Sequence, residues 1–448
     1  MKDTEHRPEA LARWVASAQR GTLAFLDGND GSGRGRFSFL GVEPVETLEV
    51  AGDAPEPLAI FDRLEDGRLL AEGGDELALG LTRGALPRWI GAISYDLAWS
   101  LRAELGLRRA TTHARDARPL AFFHRFDALA VADRLRDRVL LVGEDESAIA
   151  RLEARLEGLA RAATSHVEVG AIEAEPREVH GASIALALEL VRDGIVYQIN
   201  LARRWSAPIE GEAPGRALAQ AMRQASPVPL GALLELGDRG ERLALVSRSM
   251  ELFLRWDRAT GLLETRPIKG TIARGGGDDD ALARTLATDR KEHAEHAMIV
   301  DLLRNDLGRV AEVGSVHVHD AFAVEPYARL LHLVSTVRAR TAEHASLRDV
   351  VLATFPPGSV TGTPKLSAIE HIEALERSAR GFYCGALGHV DHAGGVTLAV
   401  AIRTAQLHRG ELTYFAGGGL VDASVIEREL DETELKTRVL LDALARER

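Results

Sequence analysis

Four glutamates form two pairs with the same spacing. Glu292 and Glu295 lie in KEHAEHAMIVDLLRND, and Glu429 and Glu432 lie in ERELDETELKTRVLL. Residues three positions apart share one face of a helix, so each pair presents two carboxylates in one direction. If the two faces met, they would offer the oxygen ligands that Mg²⁺ prefers, since this ion is commonly held by one or two carboxylates together with its substrate. The alternative is that each pair belongs to a solvated helix face.

Basic residues that could bind an anion are scattered through the same half of the chain. Lys436 follows Glu432 by four positions, so it could hold a substrate carboxylate beside a metal or form an ordinary salt bridge with Glu432. Arg266 and Arg403 stand in apolar stretches, where an arginine normally needs an anionic partner. A small anionic ligand is one such partner.

Lys269 lies in TRPIKGTIARG, between Ile268 and Gly270. Three roles are open for it: a solvated turn residue, a phosphate clamp or an amine nucleophile. No Walker loop or other glycine-rich nucleotide motif accompanies it, so phosphate binding lacks support. The apolar and glycine neighbours fit a solvated turn poorly. They leave the nucleophile as the role to be tested against the rest of the chain.

Two further segments could shape a ligand pocket. AGGGL at 416–420 has glycines that let backbone N–H groups approach an anion closely. FPPGSVTGTPKLSAIE at 355–370 is rich in hydroxyl groups and leads into a helix, with Thr363 as the expected N-cap and Pro364 and Lys365 in its first turn. Each segment by itself is also compatible with an ordinary strand end or helix start.

The composition limits the classes of function. The chain has 448 residues, 46% of them hydrophobic and 27% charged, as in an ordinary globular protein. Its net charge of −12 argues against nucleic acid and anionic membrane surfaces as partners. The single cysteine, Cys384, rules out an internal disulfide and is expected to be a small buried residue. Without an apolar leader or a long apolar stretch, we expect a cytoplasmic protein.

The elements that must position these residues change character along the chain. Residues 1–145 read as short strands and turns, and residues 146–178 read as a helix followed by a linker. Residues 179–446 mix strands with helices, including one helix over each glutamate pair. Runs of strands interrupted by helices predict an α+β fold with antiparallel sheets.

The ordered segments together resemble the chorismate-utilising enzymes, a family that includes anthranilate synthase component I, aminodeoxychorismate synthase component I, and the isochorismate and salicylate synthases. The blocks that carry the resemblance occur in the family's order: YQINLARRW, RPIKGT, KEHAEHAMIVDLLRND, HLVS, FPPGSVTGTPK, FYCGALG, AIRT and AGGGLVDAS. The resemblance implies large antiparallel sheets packed face to face with helices outside. Residues 1–145 would be the anthranilate-synthase-I-like N-terminal region and residues 179–446 the chorismate-binding catalytic region.

The resemblance also implies roles for individual residues. Glu295 and Glu432 would bind Mg²⁺, with Glu292 and Glu429 supporting them directly or through water. The residues that would hold the substrate's carboxylates are Tyr383, Arg403, Lys436 and the backbone of Gly417 and Gly419. The residues that would line the same pocket are Ser359, Gly270 and Thr271, with His332 near the substrate ring.

Two positions distinguish the subfamilies. Isochorismate and salicylate synthases carry a lysine, their base for activating water, where this chain has Gln198, which argues against attack by water. Anthranilate synthases usually read PIAGT where this chain has PIKGT, as aminodeoxychorismate synthases typically do. Removal from water favours the neutral amine of a lysine, which is the nucleophilic form. The resemblance therefore favours Lys269 as a nucleophile.

These positions point to aminodeoxychorismate synthase component I, which converts chorismate and ammonia to 4-amino-4-deoxychorismate for para-aminobenzoate and folate biosynthesis. Lys269 would attack C2 of chorismate and form a covalent intermediate, while Glu251 protonates the departing 4-hydroxyl group. Ammonia would then displace Lys269 without loss of pyruvate. A separate glutamine amidotransferase subunit is the expected source of the ammonia.

Two alternatives remain open. One is anthranilate synthase component I, which would form anthranilate and pyruvate, and the other is a non-catalytic chorismate-binding regulatory subunit. The chain also departs from the family pattern beside Glu251, where SMELF replaces SPERF, so that Met250 and Leu252 stand for a proline and an arginine. The serine-bearing LLES segment of the N-terminal region reads FLDG here, so no tryptophan site is predicted.

Overall fold

The computed structural model of the chain describes residues 1–29, 34–65, 81, 83–109, 111–113, 117–274, 277–327 and 330–446. In chain order, its strands are β1 (Lys2–Asp3), β2 (Leu23–Asp27), β3 (Phe37–Val42), β4 (Glu46–Val50), β5 (Pro87–Ile93), β6 (Ala121–Arg125), β7 (Ala128–Asp133), β8 (Arg138–Gly143), β9 (Glu168–Val169), β10 (Glu173–Ala174), β11 (Gln198–Glu210), β12 (Leu230–Leu236), β13 (Leu243–Ser249), β14 (Leu252–Asp257), β15 (Leu262–Arg266), β16 (Ile268–Ala273), β17 (His317–Pro326), β18 (Leu330–Arg340), β19 (Gly362–Thr363), β20 (Ala386–Asp391), β21 (Val396–Val400), β22 (Thr404–His408) and β23 (Glu411–Leu420).

The helices alternate with these strands. They are α1 (Glu9–Val15), α2 (Ala59–Glu65), α3 (Leu97–Ser100), α4 (Arg102–Leu105), α5 (Glu146–Arg161), α6 (Arg177–Arg192), α7 (Pro214–Ala225), α8 (Asp279–Thr288), α9 (Arg290–Gly308), α10 (Leu347–Thr354), α11 (Lys365–Leu375) and α12 (Ile426–Arg446). A short 3₁₀ turn at Gly358–Val360 precedes α11. None of the helices in the described part of the chain combines the length and the apolar character needed to cross a bilayer.

The strands form two antiparallel sheets. The first has the order β1-β8-β7-β3-β2-β12-β13-β22-β23-β11-β10, with β9 and β19 also paired to β11. The second has the order β16-β18-β15-β14-β21-β20-β5-β6-β4, with β17 paired to β18. Strands from residues 1–145 and 179–446 share both sheets, because β2 pairs with β12 and β5 pairs with β20.

The sheets pack face to face around one of the hydrophobic cores. Leu234 and Leu245 of the first sheet meet Ile90 and Phe122 of the second sheet there, and all four side chains are buried. The outer face of the first sheet is covered by α1, α5, α7 and α12, and the second sheet packs with α2, α9 and α10. The predicted α+β fold, with antiparallel sheets face to face and helices outside, is confirmed.

Helices α9 and α12 carry the two glutamate pairs, as the sequence predicts. In α9 the buried positions include Glu295, Ile299 and Leu303, which recur every four residues along one stripe. In α12 the buried stripe includes Glu429 and Leu440. One glutamate of each pair therefore lies on the face that packs inward, because it shares the helical period of the apolar residues.

The start of α11 differs from the prediction. Pro364 is the N-cap, no side chain caps the helix, and Lys365 is its first residue. Thr363 pairs with Gln198 in the two-residue strand β19, and its carbonyl accepts a hydrogen bond from the Tyr197 N–H (2.7 Å). The predicted Thr363 cap is therefore wrong, since strand pairing already fixes this residue one position before the cap.

Candidate active site

A cavity of about 610 Å³ lies where β11, β16, β18 and β23 meet α9 and α12. Its walls include the residues for which the sequence predicts a role: Glu251, Lys269, Gly270, Thr271, Glu292, Glu295, His332, Ser359, Tyr383, Arg403, Gly417, Gly419, Glu429, Glu432 and Lys436. The volume falls in the range of small-molecule sites in proteins. Residues spread over the last 200 positions of the sequence thus surround one space.

Lys269 reaches this cavity from β16, where its backbone pairs with Leu333 of β18. The side chain is half-buried, and its Nζ makes no hydrogen bond or ion pair with any residue that the structure describes. A Cβ atom placed on Gly419 would lie 2.7 Å from Nζ, so the glycine of β23 makes room for the amine. The amine is therefore accessible to a ligand in the cavity.

Glu251 lines the same cavity, in the link between β13 and β14, and its carboxyl group lies within electrostatic range of this amine. Burial raises the pKa of its carboxyl group to about 7, although a hydrogen bond from Ser359, the positive charge of Lys269 and the Ile268 N–H each lower it. A carboxyl group with a pKa near neutrality can donate or accept a proton under ordinary conditions. Ser359 comes from the 3₁₀ turn before α11.

His332 of β18 is buried beside Thr271 and Gly270. Its Nδ1 lies 3.0 Å from Thr271 Oγ1 and 3.4 Å from the Gly270 carbonyl oxygen. Burial, opposed by the hydrogen bond to the Gly270 carbonyl oxygen and assisted by the charge of Arg403, lowers the pKa of the imidazole to about 4, so the ring is neutral near pH 7. Nε2 is buried without a hydrogen-bond partner among the described residues. It is a polar atom that a ligand in the cavity could bind.

The two glutamate pairs approach the cavity from two helices. Glu292 Oε2 lies 3.1 Å from the position that a Cβ on Gly270 would take. Glu429 Oε2 and Glu432 Oε1 lie 3.3 and 3.8 Å from the corresponding position on Gly418. The glycines of β16 and β23 therefore leave space for carboxylates that point inward from α9 and α12.

The donor set suits a hard cation in its chemistry, because four carboxylates line the same space. Within the described ranges, no three Asp, Glu, His or Cys side chains are grouped closely enough to form a complete metal site. Mg²⁺ usually takes one or two protein carboxylates and completes its shell with water and substrate oxygens. The arrangement fits that mode of binding and not an all-protein cage.

The cations around the cavity differ in whether they have partners. Lys436 Nζ forms an ion pair with Glu432 Oε1 (2.6 Å) and donates to the Gly417 carbonyl oxygen (2.7 Å). Of the two roles open for Lys436, the structure therefore shows the salt bridge, and the same amine also binds the Gly417 carbonyl oxygen. Burial lowers the pKa of this lysine.

Arg403 and Arg266 also differ. Arg266 pairs with Glu325 and has its predicted anionic partner. Arg403 Nη1 donates only to the Lys436 carbonyl oxygen (3.2 Å), and no carboxylate among the described residues pairs with it. Its backbone has a φ of +51°, which non-glycine residues seldom adopt and which often marks functional sites. An anionic ligand could supply the missing partner.

Aromatic residues form another part of the wall. Tyr383 is buried, and its ring stacks on Phe415 with 5.4 Å between centroids and 16° between planes. Behind it lies Cys384, which is buried as predicted, and burial raises the pKa of its thiol to about 12. A thiol with so high a pKa is inert near neutrality.

Asn200 and Tyr327 are among the cavity residues that sequence reasoning missed. Asn200 lines the cavity, and its Oδ1 is buried without a hydrogen-bond partner in the described part of the chain. It lies two positions after Gln198 on β11, so the period of two in a strand could have placed it on the same face. Tyr327 packs edge-on against His332 with 4.9 Å between ring centroids. No local pattern in the sequence indicates that contact.

The curated relatives include two kinds of enzyme. The chain is 34% identical over 376 residues to the chloroplastic aminodeoxychorismate synthase of Arabidopsis thaliana (80% of this chain, 40% of that protein). It is 40% identical over 270 residues to aminodeoxychorismate synthase component 1 of Escherichia coli (60% of this chain, 58% of that protein). It is also 34% identical over 446 residues to an anthranilate synthase component 1 of Haloarcula marismortui (91% of this chain, 81% of that protein). The chain spans about half the length of three of the aminodeoxychorismate synthases that it matches.

Solved structures and family models agree with the fold. Anthranilate synthase component I from Streptococcus pneumoniae superposes with a TM-score of 0.75 at 27% identity, covering 90% of this chain and 92% of that one. Residues 25–442 match the family model described as chorismate binding enzyme. Because that match spans nearly all of the sheets and the whole cavity, the chain belongs to the chorismate-binding enzyme family.

Proposed function

We propose that this protein acts as aminodeoxychorismate synthase component I, which forms 4-amino-4-deoxychorismate from chorismate and ammonia. The observation that carries the proposal is the unpaired amine of Lys269 in a cavity that also contains Glu251 and Arg403, whose guanidinium has no carboxylate partner among the described residues. Chorismate is a small dianion, so local cations in an otherwise acidic protein suit it. The similarity to named aminodeoxychorismate synthases supports the same function.

In the first step, Lys269 Nζ forms a bond to C2 of chorismate. The two ring double bonds shift and the C4–O bond breaks. The hydroxyl group leaves as water with a proton from Glu251, whose pKa of about 7 leaves it partly protonated near neutrality. Lys269 gives up one proton to solvent and remains attached as a secondary amine.

In the second step, ammonia forms a bond to C4 and the double bonds shift back. The C2–Nζ bond breaks, and the departing lysine gains the proton that the ammonia loses. Arg403 and the Tyr383 side chain are proposed to hold the substrate's carboxylates, and His332 Nε2 to contact it near the ring. We propose a separate glutamine amidotransferase subunit as the source of ammonia, and para-aminobenzoate formation as the use of the product.

Glu295 and Glu432 would hold Mg²⁺, with Glu292 and Glu429 beside them, and the bound ion would supply positive charge for a substrate carboxylate. Lys436 would then exchange its partner Glu432 for the substrate. Calorimetric titration with Mg²⁺, with and without chorismate, tests this arrangement. Glu295→Gln should weaken Mg²⁺ binding, and unchanged binding would remove Glu295 from the site.

The second candidate is anthranilate synthase component I. It is favoured by the similarity to the Haloarcula marismortui protein, which extends over most of both chains. Incubation of the purified protein with chorismate, ammonium and Mg²⁺ separates the candidates by product. We expect aminodeoxychorismate and no pyruvate. Anthranilate with pyruvate would establish the second candidate, and binding of chorismate without any product would support the non-catalytic regulatory subunit.

A further inference from the structure

A fully buried arginine lies behind one wall of the cavity. Arg380 is 2% exposed and does not line the cavity itself. Its Nε and Nη2 donate to the two carboxylate oxygens of Glu376 at 2.9 and 2.6 Å, which is the bidentate geometry of a strong charge-assisted pair. Glu376 in turn accepts the Ala202 N–H of β11 (2.9 Å). The pair is thus tied to the strand that forms this wall.

The other donors of Arg380 go to the backbone of cavity residues. Nη2 donates to the Asn200 carbonyl oxygen (2.8 Å), and Nη1 donates to the Val360 carbonyl oxygen (3.1 Å). Val360 follows Ser359, whose hydroxyl group binds Glu251. One planar group therefore fixes the strand that carries the unpaired Asn200 amide oxygen and the turn that carries the Ser359 hydroxyl group.

The flat faces of the same guanidinium contact aromatic rings. Its central carbon lies 4.7 Å from the centroid of Tyr95 and 5.7 Å from that of Tyr383, within the range of cation–π attraction. Tyr383 is a wall residue, and Tyr95 is buried behind it. Arg380 thus contacts three separate segments that reach the cavity, although it cannot touch a ligand there.

We infer that Arg380 is a positioning residue for the reaction. It holds the Asn200 backbone of β11, the Tyr383 ring and, through the Val360 carbonyl group, the turn that carries Ser359 into the cavity. Lysine cannot replace it, since a single ammonium cannot bind Glu376 in bidentate fashion, reach both carbonyl groups and stack on a ring at once. The kinetic consequence rests on the proposed role of Glu251 as general acid.

Arg216 provides a matched control. It is also fully buried, and its Nε and Nη2 donate to the two oxygens of Glu235 at 2.8 and 2.9 Å. Its remaining donors go to the carbonyl groups of Ser17, Gln19 and Gly21, none of which lines the cavity. The two arginines therefore match in burial and bonding and differ in the segments that they hold.

The experiment compares Arg380→Lys with Arg216→Lys. Both variants should melt at a lower temperature. We expect Arg380→Lys alone to lower kcat at least tenfold and to move the basic limb of the kcat/KM profile to higher pH, in the same direction as Ser359→Ala. The inference is overturned if Arg380→Lys keeps the wild-type kcat and profile, or if Arg216→Lys changes both equally.

Two further measurements keep the outcome decisive. If Arg380→Lys does not fold, Glu376→Gln replaces it and Glu235→Gln is its control. We then expect a smaller loss of kcat and a smaller upward shift of the basic limb, in Glu376→Gln alone. The ionisation of Glu251 can also be followed without turnover, as the pH midpoint of the buried carboxyl infrared band that Glu251→Gln removes. An upward shift of that midpoint in the Arg380 or Glu376 variant supports the inference even if the proposed reaction is wrong, and an unchanged midpoint overturns it.

Discussion

Lys269 and Lys365 are two lysines in neighbouring parts of the structure whose amines have different surroundings. Lys365 Nζ is almost fully buried and donates to Asp306 Oδ2 (2.6 Å), the Thr354 carbonyl oxygen (2.8 Å) and the Pro356 carbonyl oxygen (3.0 Å). An ammonium has three donors, so all of them are used. Lys269 Nζ has no such partner among the described residues and faces the cavity. Lys365 therefore has a structural role, since its amine holds three groups of the protein together, whereas the amine of Lys269 is available to a ligand.

This difference shows what distinguishes a candidate nucleophile from other buried lysines. Lys365 connects α9, which carries Asp306, to the segment that leads to Ser359. It shapes the site without being able to react there.

Lys269→Ala should lower kcat by on the order of 10³-fold or more, since loss of a covalent nucleophile is among the largest single effects in enzymes. The melting temperature should change little, because the amine has no protein partner to lose. Intact-mass measurement of wild-type protein with chorismate and no ammonia should show an adduct that maps to Lys269. If the adduct formed equally in the alanine variant, Lys269 would not be the nucleophile, and its difference from Lys365 would have no catalytic meaning.

Glu251→Gln should lower kcat about 10²–10⁴-fold, the range for loss of a general acid. A general acid works only while protonated, so the wild-type rate should fall as pH rises above about 7, the pKa of this carboxyl group. The glutamine variant should lose that limb of the pH–rate profile. A profile that keeps its limb would assign it to another group.

Lys365→Met should reduce the free energy of unfolding by about 3–5 kcal/mol, because it leaves Asp306 buried without its ion-pair partner. Urea denaturation measures this loss. Lys2→Met is the control, since Lys2 and Glu153 form an ion pair whose side chains are 50% and 39% exposed. Such surface pairs contribute about 0–1 kcal/mol. Equal losses of unfolding free energy in the two variants would show that the Lys365 ion pair stabilises the fold no more than a surface pair does.

Ser359→Ala should have the smallest effect and should act on the pH–rate profile. The Ser359 hydroxyl donates to the carboxylate of Glu251 and so favours its charged form, which lowers its pKa. A hydrogen bond to a charged group contributes roughly 1.5–3 kcal/mol, so its loss should move the basic limb upward by about one to two pH units. If the limb moved to lower pH instead, the Ser359 hydroxyl group would raise the pKa of Glu251, contrary to the direction assigned to it.

Much of the fold and of the candidate site could be predicted from local patterns. The helices α9 and α12 follow from apolar residues at helical spacing, and the i, i+3 spacing predicts that Glu292 shares a helix face with Glu295, and Glu429 with Glu432. All four glutamates line the cavity. The motif order was enough to identify the resemblance. These features depend on neighbours within a few residues, which is the information that a sequence pattern contains.

The rest depended on contacts between distant segments. The Thr363 cap was predicted wrongly because pairing with Gln198 on a strand 165 positions earlier in the sequence is not visible locally. Asn200, Tyr327 and Arg380 were missed for the same reason. Asn200 has a buried amide oxygen without a partner among the described residues, and Tyr327 contacts His332 with its ring edge-on. The Arg380 guanidinium holds three segments of the chain together.

The sequence by itself determined the residue types and their local placement: a lysine in PIKGT, two carboxylate faces on two helices, and an α+β set of elements. Only the tertiary structure decided which charges are paired. Asp306 pairs with Lys365, and Glu325 pairs with Arg266; in each pair the two residues lie 59 positions apart in the sequence. Lys269 and Arg403, in contrast, pair with no carboxylate among the described residues. Ion pairing depends on distance in space and on burial, and neither is encoded in the spacing of residues along the chain.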